Sequence, residues 1–319
     1  MLVAILLVAV LAAAAAAQRP RSGAAQPIDM AAPYEYLGWG DPQPPGEVIA
    51  TTGVHDLTLA FILSKGTCNP EWDGERPLLG GRDEAAIESV RAAGGEVVVS
   101  FGGWSGRKLG NSCKTAAALA GAYQKVIDAY SLHAIDIDIE HTEFNSAKVR
   151  ARVVEALARA AAANPGLETS ITMGTAESGP EKAGTSLIED AAKLGFMPTA
   201  WTVMPFDFGP ARTDMGHASI RSVEGLARDL AGAYGISTAA AYAHAGISSM
   251  NGDTDEASET VTLEDFETML AFARSDGLAR MSFWAVNRDR PCQSHPAPEE
   301  ECSGIAQAPF AFTRALASF

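Results

Sequence analysis

The sequence predicts an α/β protein of the (β/α)8 TIM-barrel class. Three observations carry this: eight apolar strand-like runs, helix-period stretches between them, and no appended module or low-complexity array beyond residue 32. Repeated alternation of strand and helix implies a mostly parallel sheet covered by helices. Eight strands within about 290 residues suit a closed barrel better than an open sheet. In order, the strand windows are Tyr34–Trp39, Leu57–Leu63, Glu96–Phe101, Ala134–Ile139, Glu168–Met173, Ala200–Phe206, Ala245–Met250 and Ala279–Val286. Helix windows fall at Arg82–Ala93, Lys114–Tyr130, Ser146–Ala163, Glu181–Leu194, His217–Tyr234 and Leu263–Ser275. A final helix, Pro309–Ser318, opens on a proline suited to a first turn.

Of the 319 residues, 47% are hydrophobic and 20% charged, enough to bury a sizeable core. The net charge of −15 argues against a nucleic-acid partner, because phosphate binding needs Lys/Arg clusters. Leu2 to Ala17 holds no polar residue and ends in small residues before Gln18, as signal peptidase requires. The run is shorter than the ~20 apolar residues of a membrane span. Residues 1–17 therefore read as a signal peptide, 18–31 as a linker and 32–319 as one catalytic-sized domain, with a retained N-terminal anchor as the alternative. A secreted, extracellular monomer without stable membrane association is expected. The four cysteines, Cys68, Cys113, Cys292 and Cys302, form no C-x-x-C pair, which disfavours zinc. Of the three possible pairings, local loop closure favours Cys68–Cys113 and Cys292–Cys302.

The chemistry concentrates in His133-Ala-Ile-Asp136-Ile-Asp138-Ile-Glu140-His141. On a strand the isoleucines face one way and Asp136, Asp138 and Glu140 the other. The three carboxylates then line the barrel interior, with Glu140 outermost. Like charges about 7 Å apart disfavour simultaneous ionisation, so at least one proton is retained. A solvated edge strand would explain the pattern equally, but the flanking helices make this strand central.

This ladder resembles the D-x-x-D-x-D-x-E signature of glycoside hydrolase family 18, the chitinases and endo-β-N-acetylglucosaminidases. Ser100-Phe-Gly102-Gly103 on the preceding strand is similar to that family's S-x-G-G motif. Met204-Pro-Phe206-Asp207 resembles its M-x-Y-D element, and Trp284 falls where the family places the tryptophan beneath the sugar. The segments around Cys68 to Trp72, Met250 to Gly252 and Arg288 to Ile305 resemble single-domain bacterial chitinases with disulfides.

The resemblance implies a retaining, substrate-assisted reaction on chitin or another N-acetylglucosamine-containing glycan. Glu140 is then the acid and base, Asp138 steadies the oxazolinium formed by the substrate's own acetamido group, and Asp136 shares a proton with Asp138. Asp207 bonds the acetamido region or tunes Glu140. Trp284 lies under the sugar, Gly102, Gly103, Met204 and Phe206 line the site, and Trp104 floors a neighbouring subsite. No metal or cofactor is expected. Trp39 and Trp72 are weaker candidates, and Trp201 reads as packing.

Three positions depart from the family pattern. His133 replaces the first Asp, the member expected deepest in the barrel. Phe206 stands where Tyr is common, and Phe208 also lacks a hydroxyl. Gly174-Thr-Ala-Glu177 does not look like the expected loop and adds a carboxylate near the rim. Three other functions stay open: an endo-β-N-acetylglucosaminidase on N-glycans, a weakly active or non-catalytic chitin-binding lectin, and a metal-dependent hydrolase. The last ranks lowest, since the six His residues form no H-x-H or H-E-x-x-H pattern.

Overall fold

Strands covered on both faces need no polar face to solvent, and the central strands here are buried along most of their length. The computed structural model describes residues 30–39, 41–209, 214–256, 258–293 and 301–319. The chain runs through β1 (Tyr34–Tyr36), α1 (Pro45–Thr52), β2 (Asp56–Lys65), β3 (Asn69–Trp72), α2 (Arg82–Ala92) and β4 (Glu96–Gly102). Next come α3 (Leu109–Ser112), α4 (Ala116–Tyr130), β5 (Ala134–Asp138), α5 (His141–Phe144), α6 (Ala147–Ala163) and β6 (Glu168–Gly174). α7 (Lys182–Lys193), β7 (Ala200–Met204), α8 (Met215–Tyr234), α9 (Thr238–Tyr242) and β8 (Ala245–Met250) follow. A small hairpin, β9 (Gly252–Asp253) and β10 (Thr260–Val261), precedes α10 (Leu263–Asp276), β11 (Arg280–Trp284) and α11 (Ala311–Leu316).

Eight parallel strands form the barrel in the order β1-β2-β4-β5-β6-β7-β8-β11, and β3 is added antiparallel to β2 on the rim. All eight strand windows read from the sequence are present. The isoleucines of the carboxylate segment join the outer core with Leu119 and Val126 of α4 and with Val153 and Leu157 of α6. Helix starts follow their capping chemistry. Thr115 accepts the Ala118 N–H ahead of α4, and Thr262 with Asp265 forms a capping box at α10. α11 starts later than the sequence suggests. Phe310 caps it in a left-handed conformation, so Pro309 lies outside the first turn.

Among the described residues no ladder joins β1 to β11, and side chains bridge that seam instead. The Asn287 carboxamide accepts the Tyr36 N–H at 2.9 Å and donates to the Tyr36 carbonyl at 2.8 Å, as a neighbouring strand would. Ser282 Oγ donates to the Ala32 carbonyl at 2.7 Å, and the Met281 N–H reaches the Met30 carbonyl at 3.3 Å. Met30 and Ala31 are therefore not tether, as their composition suggests, but buried parts of the barrel. The leader 1–17 and residues 18–29 lie outside the described residues. The disulfides are Cys68–Cys113 and Cys292–Cys302, both local and both on rim loops.

Alternation on β1 sends Tyr34 into the barrel and Glu35 outward beneath the helix layer. Among the described residues neither Glu35 oxygen has a hydrogen-bond partner, and burial pushes the carboxyl well above its ordinary 4.5. The folded state therefore keeps a proton that the unfolded state releases. Stability is undiminished by this group below about pH 4.5 and declines as pH rises toward the folded value. Glu35→Leu should raise stability at pH 7 by about 1–3 kcal/mol, with the gain shrinking at acid pH. Urea midpoints at pH 4 and pH 7 check this; a lower midpoint at both would show that Glu35 is held by something other than apolar packing.

Candidate active site

β5 delivers the site. Asp136, at its centre, is fully buried, and four groups satisfy it. Tyr34 Oη and Ser100 Oγ each donate to Oδ2 at 2.7 Å, while Thr172 Oγ1 and Arg280 Nη1 donate to Oδ1 at 2.7 and 2.6 Å. Burial alone would raise this carboxyl, but the Arg280 guanidinium with the Ser100, Tyr34 and Thr172 hydrogen bonds holds it below the usual range. All four acceptor positions are taken. Asp136 is therefore an anchor whose surroundings favour the carboxylate form. It offers no lone pair to a metal.

Asp138, two residues on, has no such support. Burial, then Glu140 and Asp136, push its carboxyl well above the ordinary carboxylate range, and its Oδ1 has no partner among the described residues. Glu140 follows at the mouth, capping the short α5, half-buried. Burial raises it to about 7; Lys108 opposes the rise, while Asp207 and Asp255 add to it. Along this segment the surroundings favour the carboxylate at Asp136 and push the carboxyls of Asp138 and Glu140 upward.

The S-x-G-G turn fits over this strand by backbone contact. A Cβ on Gly102 would stand 2.1 Å from the Asp138 carbonyl, and the Gly103 N–H donates to that same carbonyl at 2.9 Å. Gly103 also presses on the Phe61 ring, where a Cβ would come within 2.6 Å. Phe61 in turn stacks on Trp284, with centroids 5.5 Å apart and planes 13° off parallel. Tyr34 and Tyr36 pack against Trp284, and Trp39 meets it edge-on at 5.2 Å. Trp284 is therefore half-buried in an aromatic wall beside the carboxylates, and Trp39 belongs to that wall. Trp104, 65% exposed, lies over the His141 ring at the rim. Trp72 and Trp201 are buried core residues.

Met204 ends β7, and strand alternation stops there, because Pro205 follows and the Phe206 N–H turns back to the Met204 carbonyl. Phe206 and Phe208 are half-buried against the core, so they do not continue the alternating face of β7. Asp207 sits between them in a left-handed conformation, φ 56°. Buried Glu259 fixes it by accepting the N–H groups of Asp207 and Phe208 at 2.6 and 3.0 Å. Burial and the Asp255 charge raise Asp207 to about 6. Glu177 does not join the carboxylates. It pairs with Arg221 along a groove of about 740 Å³ that starts at Asp207 and Phe208 and runs over the loops after β6 and β7.

His133 is not deep in the barrel. It is exposed, ahead of β5, at the opposite end from Glu140. Its replacement of Asp therefore leaves the site untouched. Residues missed by sequence reading are Arg280, Tyr34, Lys108, Glu143 and Glu259. Arg280 has a visible signal, a lone charged residue in a largely apolar strand window, where burial demands a carboxylate partner.

A parallel barrel with carboxylates at a strand end beside an aromatic wall is an arrangement suited to glycoside hydrolysis. Comparison with known proteins is more specific. The solved catalytic domain of a hyperthermophilic chitinase from Pyrococcus furiosus matches with a TM-score of 0.81 and 28% identity, covering 90% of this chain and 93% of that one. A probable bifunctional chitinase/lysozyme of Escherichia coli (strain K12) is 27% identical over 283 residues, 83% of this chain and 32% of that protein. Endochitinase 11 of Metarhizium anisopliae is 26% identical over 255 residues, covering 75% and 48%. This chain thus spans less than half the length of either curated relative. No protein-family model matches it. With these relatives and the signature in place on β4 and β5, the chain is similar to the chitinases of glycoside hydrolase family 18.

Arg280→Met leaves Asp136 charged and buried with no counterion, which should cost about 3–5 kcal/mol of stability. The double variant Arg280→Met/Asp136→Leu should recover much of that loss. Chemical denaturation of the three proteins checks it; equal losses in the single and double variants would mean that the pair's charge is not what matters.

Proposed function

We propose that this chain is a chitinase, hydrolysing β-1,4-linked N-acetylglucosamine polymers by a retaining, substrate-assisted mechanism. One observation carries the reading: Asp136, Asp138 and Glu140 rise in order to the mouth of the barrel, with Asp136 anchored by four donors and the two above it pushed upward by burial. The names of the relatives support it. Glu140 gives its proton to the glycosidic oxygen as the C1–O bond breaks. The acetamido oxygen of the same sugar bonds to C1 from the opposite face, forming an oxazolinium. Asp138 passes its proton to Asp136 as it accepts the acetamido N–H, and its carboxylate balances the positive charge that develops. Glu140, now a carboxylate, takes a proton from water, whose oxygen opens the ring at C1 with net retention. Trp284 supplies an apolar surface for the C–H face of the sugar, and Trp104 a second platform further along the chain.

The enzyme acts as a secreted monomer, with Leu2 to Ala17 as its signal peptide. The two disulfides and a site complete within one chain support this. No helix among the described residues is long and apolar enough to cross a membrane. Intact mass of the exported protein tests the leader, with an N-terminus at Gln18 expected.

Chitin oligomers and a high-mannose glycopeptide assayed side by side test the substrate; cleavage of the glycopeptide alone transfers the reading to an endo-β-N-acetylglucosaminidase. The first product should have the β configuration, and an α product refutes substrate assistance. Glu140→Gln should lower kcat by about three orders of magnitude or more while sugar binding persists. Because the acid works protonated, kcat holds below about pH 7 and falls as pH rises through it. Asp207→Asn removes a charge that favours the proton on Glu140, so its descending limb should move to lower pH. A limb that stays in place uncouples Asp207 from the acid.

A further inference from the structure

The loop from Gly102 to Lys108 is wound around its own last side chain. Lys108 is 1% exposed, and its ammonium donates to the carbonyls of Gly102, at 3.2 Å, Gly103 and Ser105. All three of its N–H donors are accounted for. Gly102 and Gly103 take positive φ, which aims their carbonyls inward while the Gly103 N–H still reaches Asp138. The ring of carbonyls binds the ammonium without neutralising it, since none of its members is charged. The charge therefore acts on whatever anions stand nearby.

Those neighbours are acids. Asp138 and Glu140 face Lys108 from β5 and its end, and Glu143 faces it from α5. Glu143 is buried and accepts the Gly110 N–H at 2.6 Å, so it is fixed to the same loop. On the far side, Asp207 and Asp255 act on Glu140, and Arg280 reaches Asp138 from below. No ion pair joins Lys108 to any carboxylate among the described residues. A lysine held by carbonyls, one shell behind two reacting carboxyls, opposes their burial without taking their protons.

The geometry points to Lys108 as a positioning residue for this reaction, which shapes the Gly102-Gly103 turn over Asp138 and supplies the opposing charge that lets Asp138 and Glu140 ionise during turnover. The assignment rests on the chitinase reading for its kinetic consequence, but its electrostatic core stands without substrate. Burial lowers the lysine, while Glu143, Asp138 and Glu140 resist that change and favour the ammonium. In turn, Lys108 lowers all three carboxyls against the burial that raises them.

Lys108→Gln keeps two N–H donors for the carbonyl ring and loses the charge; Lys108→Arg keeps a charge. In Lys108→Gln, the Glu140 carboxyl carbon, followed by 13C NMR without substrate, should titrate about one pH unit higher than in wild type. The descending limb of kcat should move up with it, and the plateau kcat should fall about tenfold with KM changed less than about twofold. Lys108→Arg should bring the limb back toward wild type. A folded Lys108→Gln protein with unmoved carboxyl titration, however slow or unstable, makes the lysine a loop filler and overturns the assignment. Should that variant not fold, the Lys108 13Cε signal of the wild type decides: an ammonium up to pH 7 is required, and an amine there overturns the charge argument. Absence of chitin cleavage by the wild type would refute the proposed activity yet leave the titration result for Lys108 intact.

Discussion

Taking a carboxylate out of water costs several kcal/mol unless other groups replace its hydration, and Asp136 recovers that cost through a guanidinium and three hydroxyls. The donors come from β1, β4, β6 and β11, so one side chain on β5 ties together strands from around the barrel. Two of them, Tyr34 and Arg280, stand on the strands flanking the open seam. They meet on Asp136 from inside, while Asn287 and Ser282 join the same strands from the rim and from lower in the barrel. Register on β5 has no freedom under this constraint, since a one-residue slip would bury an isoleucine among polar partners. Asp138 and Glu140 inherit their positions from it.

The same anchor sets the electrostatics above it. An ionised group at the bottom of a dry shaft disfavours a second negative charge one step up, and burial adds to that effect. The tendency to ionise thus changes along one segment, favoured at Asp136 and disfavoured at Asp138 and Glu140. Opposing cations keep the effect within a useful range, Arg280 from below and Lys108 from the side. Asp207 and Asp255 work in the reverse direction from β7 and the hairpin. The acid at the mouth is balanced between these two groups, and its value near 7 is a difference of larger opposing contributions.

Much of this is legible in the amino-acid order. Parallel strands buried on both faces appear as apolar runs at regular spacing, and D-x-D-x-E is visible because period two keeps its members on one face. β3 is harder to see, since Asn69-Pro-Glu-Trp72 is only four residues long and takes its conformation from pairing with β2. α1 begins at a Pro-Gly step, which reads locally as a turn. Lys108 and Glu259 are invisible for a different reason. Nothing in a loop sequence distinguishes a buried lysine from a solvated one, because its carbonyl partners carry no side-chain signature. His133 misleads by position, being in register with the signature yet below the strand.

Cys68–Cys113 couples the outer end of β2 to the segment that leaves α3, five residues after Lys108. The glycine turn, the enclosed ammonium and the hydrogen bond from Gly110 to Glu143 all lie on the stretch this bridge restrains. The geometry of this loop and the chemistry beneath it therefore share a dependence on thiol oxidation. In a host cytosol rich in glutathione, the polypeptide can assemble its strands, because those contacts are apolar and independent of cysteine. The loop over Asp138 would then lack its tether, so soluble yield would overstate the fraction of competent molecules. Preparations made in oxidising and reducing strains should be compared by active-site titration rather than by protein concentration.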